Sequence, residues 1–148
     1  MTQRINYYKV DPELLRLMMQ FEEYAKTTEI PYALRELIKT RASQINGCAF
    51  CLDMHTRDAL AAGEKPQRLF CLNAWRECSF YTEAERVALE LTEAVTLIAQ
   101  GGVSDDLFRR VRAHFTEKQY CELLALINTI NSWNRLSIAM GNQPAEAK

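Results

Sequence analysis

Asn46-Gly47-Cys48-Ala49-Phe50-Cys51-Leu52-Asp53-Met54-His55 is the segment from which the rest of the chain is best read. Two cysteines stand three apart behind a glycine, and a histidine follows four residues on. At about 100° per residue, Cys48, Cys51 and His55 fall within roughly a 60° arc of one helical face. Behind Gly47 both thiols belong to the first turn of a helix, where free N–H groups and the positive end of the dipole favour thiolate over thiol. Two sulfurs and a base on one stripe at the charged end of a helix form the layout of a redox or peroxide-reducing site.

Upstream, Pro31 opens a helix with Leu34, Leu37, Ile38 and Ile45 at helical spacing, and Asn46-Gly47 ends it. A turn this short makes the two helices an antiparallel hairpin. Residues level across it have numbers summing to about 93, so Glu36 lies opposite about position 57, within one turn of His55. Glu36 then reaches His55, and His55 reaches Cys51 at i,i+4. A carboxylate, an imidazole and a thiol in that order make an orienter, a base and a nucleophile. The carboxylate sets the imidazole's tautomer, and the imidazole takes or shares the thiol proton. Cys48, one turn away, is close enough to close a disulfide with Cys51.

Further out, helix signals dominate and strand signals are nearly absent. Asp11-Pro12 starts an amphipathic helix running to about Thr28, and the cysteine helix stops at Gly63. Pro66 opens a shorter helix through Trp75. Thr82-Glu83-Ala84-Glu85 is a capping box for a helix to about Ala99, closed by Gly101-Gly102. Ser104 and Thr116 cap the last two helices, the final one ending near Gly141. The expectation is an all-α domain of about seven helices spanning 1–148, with its core at about 11–141 and a frayed tail at 142–148. Apolar residues on more than one face of Tyr120–Ile127 and Val87–Val95 suggest assembly into a homo-oligomer.

The bulk numbers narrow the class. The chain has 148 residues, long enough to bury a core, and 48% of them are hydrophobic and 25% charged, as in an ordinary globular protein. A net charge of −1 without a Lys/Arg cluster argues against nucleic acid. Neither a signal-peptide core nor a membrane-length apolar run is present, so the expected address is the cytoplasm and no membrane partner is expected. In a reducing compartment five cysteines do not make a disulfide scaffold, and a Cys-x-x-Cys is catalytic or metal-binding more often than structural.

Glu36-Leu37-Ile38 followed by Arg41 through His55 resembles the alkylhydroperoxidase D-like branch of the carboxymuconolactone decarboxylase family, whose redox members carry a glutamate, a Cys-x-x-Cys and a histidine at this spacing. Ala74-Trp75-Arg76-Glu77, Thr82 to Ile98 and Asn131 to Arg135 resemble its later helices. The resemblance implies an all-α homo-oligomer (dimer, trimer or hexamer) and thiol peroxidase chemistry with no cofactor, metal or haem. It makes Glu36 and His55 the proton relay, Cys51 the attacking thiolate and Cys48 the resolving thiol. Partners so implied are a hydroperoxide substrate and a reductant, either a lipoamide-like dithiol or a small redox protein. The family's best-known peroxidases have a second histidine between the cysteines, where this chain has Phe50.

The order of the thiols stays open. The spacing of His55 favours Cys51 for the peroxide step, whereas the N-terminal cysteine of such motifs is the low-pKa one and favours Cys48 for exchange. Competing readings are a lactone decarboxylase, which has no use for vicinal thiols, and a non-catalytic thiol switch. A zinc site on Cys48, Cys51 and His55 needs a fourth ligand from Cys71, Cys78 or His114, none at a partner spacing. Cys71, Cys78 and Cys121 read as inert core thiols and His114 as a surface or helix-end residue. Trp75 and Trp133 read as core anchors, Tyr81 and Arg135 as weak pocket candidates. Asn128, Asn131 and Asn134, at i, i+3 and i+6, face either a subunit contact or solvent.

Overall fold

The computed structural model describes residues 3–146 and contains, among them, helices but no strand. The outermost residues of the signal-peptide and tail readings, 1–2 and 147–148, lie outside the described residues. In chain order the elements are α1 (Tyr7–Val10), α2 (Pro12–Lys26), α3 (Tyr32–Asn46), α4 (Ala49–Ala61) and α5 (Pro66–Phe70). A 3-10 segment (Leu72–Glu77) precedes α6 (Glu83–Thr96), and a shorter one (Ile98–Gln100) precedes α7 (Asp105–Arg112) and α8 (Glu117–Met140).

The caps fall where the side chains dictate. The Asp11 carboxylate accepts from the Leu14 N–H (3.0 Å), and Thr82 and Thr116 head complete capping boxes with Glu85 and Gln119. Gly47 ends α3 at φ +69°, a left-handed conformation that other residues adopt at a cost, and it turns the chain straight into α4.

Expectation and structure differ in the short elements. The helix expected over Pro66–Trp75 stops at Phe70 and continues as the 3-10 segment, with Ala74 at φ −117°, ψ 27°. Trp75 is buried, and its indole N–H donates to Glu93 (2.8 Å) while Arg86 donates to the carbonyls of Trp75, Arg76 and Cys78. These long-range anchors outweigh local helix preference. Likewise the helix after Thr82 ends at Thr96, and the four-residue α1 had no sequence signal. The start of the tail is tied rather than frayed, because Asn142 bonds back to Ser137 and to the Tyr7 hydroxyl.

α3 runs through the middle, packed by α4, α6 and α8, and is buried at Leu34, Leu37, Ile38 and Ala42. One core joins Ile38 to Leu91, Leu126 and Ile127; a second gathers Leu37, Leu72, Trp75 and Leu89. Each fully buried leucine contributes about 1.5–3 kcal/mol of apolar burial. The apolar faces of α6 and of the start of α8 pack largely within the chain, with Ala94, Val95 and Leu124 partly buried against the core. Among the described residues no helix is long and apolar enough to cross a membrane.

Candidate active site

The turn between α3 and α4 builds the site. Cys48 is the N-cap of α4, its N–H donating back to Ser43 O (3.1 Å), and Cys51 follows in the first turn. Both are free thiols, each 1% exposed, with sulfurs 2.7 Å apart. Ala42 and Ile130 form their floor, and Phe50 and Trp133 pack alongside.

Polar side chains from α8 tie this turn down. The Asn46 amide donates to the side-chain oxygens of Asn131 and Asn134, both at 2.9 Å, and Asn134 donates to Ser43 Oγ at 3.0 Å. Asn134 also favours the charged form of both thiols, and Ser137 that of Cys51. Asn131 and Asn134 are thus buried within one chain, while Asn128 is exposed.

The two thiols are driven apart electrostatically. Cys48 falls from its ordinary 9.0 to about 7, chiefly through the hydrogen bond with the Cys51 thiol and further through the backbone N–H groups of Cys51 and Phe50 and the Asn134 amide, against the opposing effect of burial. Cys51 is pushed well above the ordinary thiol range, first by the hydrogen bond it gives Cys48 and then by burial. Of the two, Cys48, the inner one, is therefore the more readily ionised and Cys51 the more firmly protonated.

His55 stands one turn beyond Cys51, buried, and its Nδ1–H donates to Glu36 Oε2 at 2.8 Å. The hairpin register expected from Asn46-Gly47 thus brings Glu36 to His55. Cys51, His55 and Glu36 line one cavity of about 540 Å³, walled by aromatic and thioether groups that include Tyr7, Tyr8, Phe50, Met54 and Trp133. Cys48 lies behind Cys51 and does not line it. Burial and a hydrogen bond with Tyr8 raise the Tyr7 hydroxyl to about 12, so it stays protonated over the cavity. Tyr81 and Arg135 are absent from this lining; Tyr81 belongs to the second core.

Three residues escaped the sequence reading. The Lys39 ammonium lies 2.7 Å from Glu22 and 3.9 Å from Glu36, and Glu22 also accepts from the Trp133 indole N–H at 3.2 Å. Lys39 sits three residues after Glu36, a spacing that signals a pair on one face but not that the face is buried. Glu22 comes from α2, and Asn134 acts on the sulfurs rather than on a neighbour or solvent.

The remaining cysteines correct the expectation of inert core thiols: Cys121 is exposed, and Cys71 and Cys78 are half-buried at the ends of the 3-10 segment. His114 is exposed near the end of α7, as expected. Among the described residues, the acidic, histidine and cysteine side chains that gather three ligand atoms within 4.8 Å of one another are Glu36, His55 and Asp58, without either cysteine. The zinc set on Cys48, Cys51 and His55 is not assembled.

Residues 12–94 match the model of the carboxymuconolactone decarboxylase family. The uncharacterized protein YdfG of Bacillus subtilis is 55% identical over 145 residues, covering 98% of this chain and 99% of its own. A protein of unknown function from Agrobacterium tumefaciens, ATU0492, described as a candidate antioxidant defence protein AhpD, superposes with a TM-score of 0.96 at 39% identity, covering 99% of this chain and 100% of that one. The apo debrominase Bmp8 shares the fold at 22% identity and a TM-score of 0.80, over 91% of this chain and 73% of its own.

Proposed function

The chain belongs to the carboxymuconolactone decarboxylase family, and from that premise we propose that it is a thiol-dependent peroxidase acting on organic hydroperoxides through Cys48 and Cys51. One observation carries the reading: a close-set dithiol, through Cys51, and a carboxylate-oriented histidine meet at one cavity large enough for an organic substrate. The sulfur facing that cavity, Cys51, attacks. Its proton passes to His55, and the Cys51 thiolate displaces alcohol from the distal peroxide oxygen. Thiolate, hydroperoxide and one proton give Cys51 sulfenic acid and alcohol, the proton coming from His55, whose imidazolium Glu36 stabilises. The Cys48 thiolate then attacks the sulfenic sulfur, and with one further proton, taken up from solvent and handed on by His55, the hydroxyl leaves as water and a Cys48–Cys51 disulfide remains.

Regeneration requires a dithiol that gives up two electrons and two protons. Because both sulfurs are 1% exposed, that dithiol must come down the cavity, which suits a slender lipoamide-like arm or a small redox protein with a protruding thiol. The same reading includes homo-oligomeric assembly, in which the exposed Phe70 and Ile98 (80% and 58%) are apolar side chains for a contact to cover. The expected address remains the cytoplasm, where such dithiols are kept reduced.

The test is peptide-mapped mass spectrometry of the reduced protein before and after one equivalent of cumene hydroperoxide, followed by turnover with excess dihydrolipoamide. Loss of two hydrogens between Cys48 and Cys51, together with many equivalents of peroxide consumed, is the expected result. Oxidation that stops after one equivalent makes the pair a switch. Thiols left untouched overturn the redox reading and move a decarboxylase-like lyase ahead.

A further inference from the structure

Between α2, α3, α4 and α8 runs a buried chain of polar groups that the mechanism above uses only at one end. The Trp133 indole N–H donates to Glu22 Oε2 (3.2 Å), and Glu22 Oε1 takes the Lys39 ammonium at 2.7 Å. That ammonium stands 3.9 Å from Glu36 Oε1, while Glu36 Oε2 takes His55 Nδ1–H at 2.8 Å. The side chains of Lys39, Glu36 and His55 are 7%, 4% and 7% exposed, and all five residues line the same cavity.

We propose that Lys39 is a positioning residue for the Glu36–His55 relay. By attracting the second oxygen of Glu36 it keeps the first on His55 Nδ1, so that the imidazole leaves Nε2 for the cavity that Cys51 also lines. This inference rests on the peroxidase reading above. Its physical basis is that Glu22 and Glu36 share one poorly solvated space and the Lys39 cation lies within 3.9 Å of both. Without it, two carboxylates face each other and Glu36 is free to turn off the imidazole. A carboxylate gripped at one oxygen rotates about its last torsion; gripped at both it does not. Asp58, whose carboxylate lies within 4.8 Å of the Glu36 and His55 ligand atoms but is exposed, is the group to which a released imidazole would turn.

A purely structural Lys39, pinning α2 to α3 through Glu22, predicts lower stability and nothing else. The proposal predicts a change at His55. In wild-type protein, nitrogen-15 spectra of the ring show a single tautomer protonated at Nδ1; Lys39→Met gives a mixture, with kcat lowered roughly tenfold to a hundredfold and KM nearly unchanged. Lys39→Gln, which keeps a hydrogen-bond donor without the charge, serves if the methionine variant does not fold and behaves the same way. Lys39→Arg restores the tautomer and brings activity to within about threefold of wild type. A folded Lys39→Gln protein with unaltered His55 signals and activity within about twofold overturns the proposal, as does a loss confined to KM. If wild-type protein turns over no peroxide, the peroxidase reading fails, while the His55 tautomer still decides the role of Lys39.

Discussion

Two pairs of cysteines lie in this chain, and they differ in which end of a helical segment they occupy. Cys48 and Cys51 stand at the N-terminus of α4, where the Cys51 thiol, backbone N–H groups and the Asn134 amide favour the charged form of Cys48 while Cys51 keeps its proton. Cys71 and Cys78 instead follow the C-terminal ends of α5 and the 3-10 segment, Cys71 also heading that segment. There carbonyls are the free groups, and Cys78 donates its thiol to Ala74 O at 3.6 Å. Partial burial, the neighbouring Cys71 and the Glu77 carboxylate hold the Cys78 thiol above its ordinary range, with Arg86 acting in the opposite sense. A thiol is neither reactive nor inert by composition; the donors and charges that meet its sulfur, the helix end among them, decide which.

The contrast breaks most sharply if the reactive pair is edited. Cys51→Ser should abolish trapping of a sulfenic acid by dimedone and lower peroxide consumption by about a thousandfold or more. Cys48→Ser should leave a trappable sulfenic acid on Cys51 that cannot close a disulfide. The reverse pattern would make Cys48 the attacking sulfur and remove the argument from cavity lining. Removing the base comes next: His55→Ala, or Glu36→Gln with the imidazole left unoriented, should each lower kcat/KM roughly a hundredfold at neutral pH. Because the two residues act as one unit, the double variant should lose little more than either single one.

Those two residues were readable because one short turn places them. Once Asn46-Gly47 is seen as a tight hairpin, the register of α3 against α4 follows from helix geometry, and Glu36 must come near His55. Lys39 and Asn134 were not readable in the same way. On α3 a Glu36–Lys39 pair at i,i+3 looks like a solvated face, and only the packing of α2 and α8 turns that face inward, burying Lys39 to 6% exposure. Asn134 repeats the lesson, since its side chain reaches the sulfurs only because α8 crosses the α3–α4 turn. The helix caps, set within a few residues, were legible almost throughout. The break after Phe70 was not, because it is set by Trp75 and Arg86 meeting partners 18 and as many as 11 residues away.

Asn134 sharpens the comparison from the N-terminal side. Asn134→Ala removes a donor from both sulfurs and leaves Asn46 and Ser43 short of a partner, which should cost about 1–3 kcal/mol of stability. Iodoacetamide alkylation of Cys48, followed against pH, reports the electrostatic part separately. In wild-type protein the rate should rise through a midpoint of about 7, because the stabilised form is the thiolate that appears as pH increases. In the variant the midpoint should move upward, toward the ordinary 9.0. A midpoint unmoved by loss of the amide would leave the Cys51 thiol and the helix N-terminus as sufficient causes.

The smallest effect belongs to the other pair. Cys78 alkylation should climb only at pH above the ordinary thiol range, since its environment favours the protonated form, so near pH 7 it should lag Cys48 despite its greater exposure. Exposure and ionisation therefore make opposite forecasts, and the order of labelling decides between them. If ionisation governs, a Cys71→Ser/Cys78→Ser double variant should reduce peroxide within about twofold of wild type, and peptide maps after one equivalent of hydroperoxide should find Cys71 and Cys78 still reduced. If access governs, the half-buried pair would oxidise before the buried one, and the role assigned to the N-terminus of α4 would have to pass to the cavity and the His55–Glu36 relay alone.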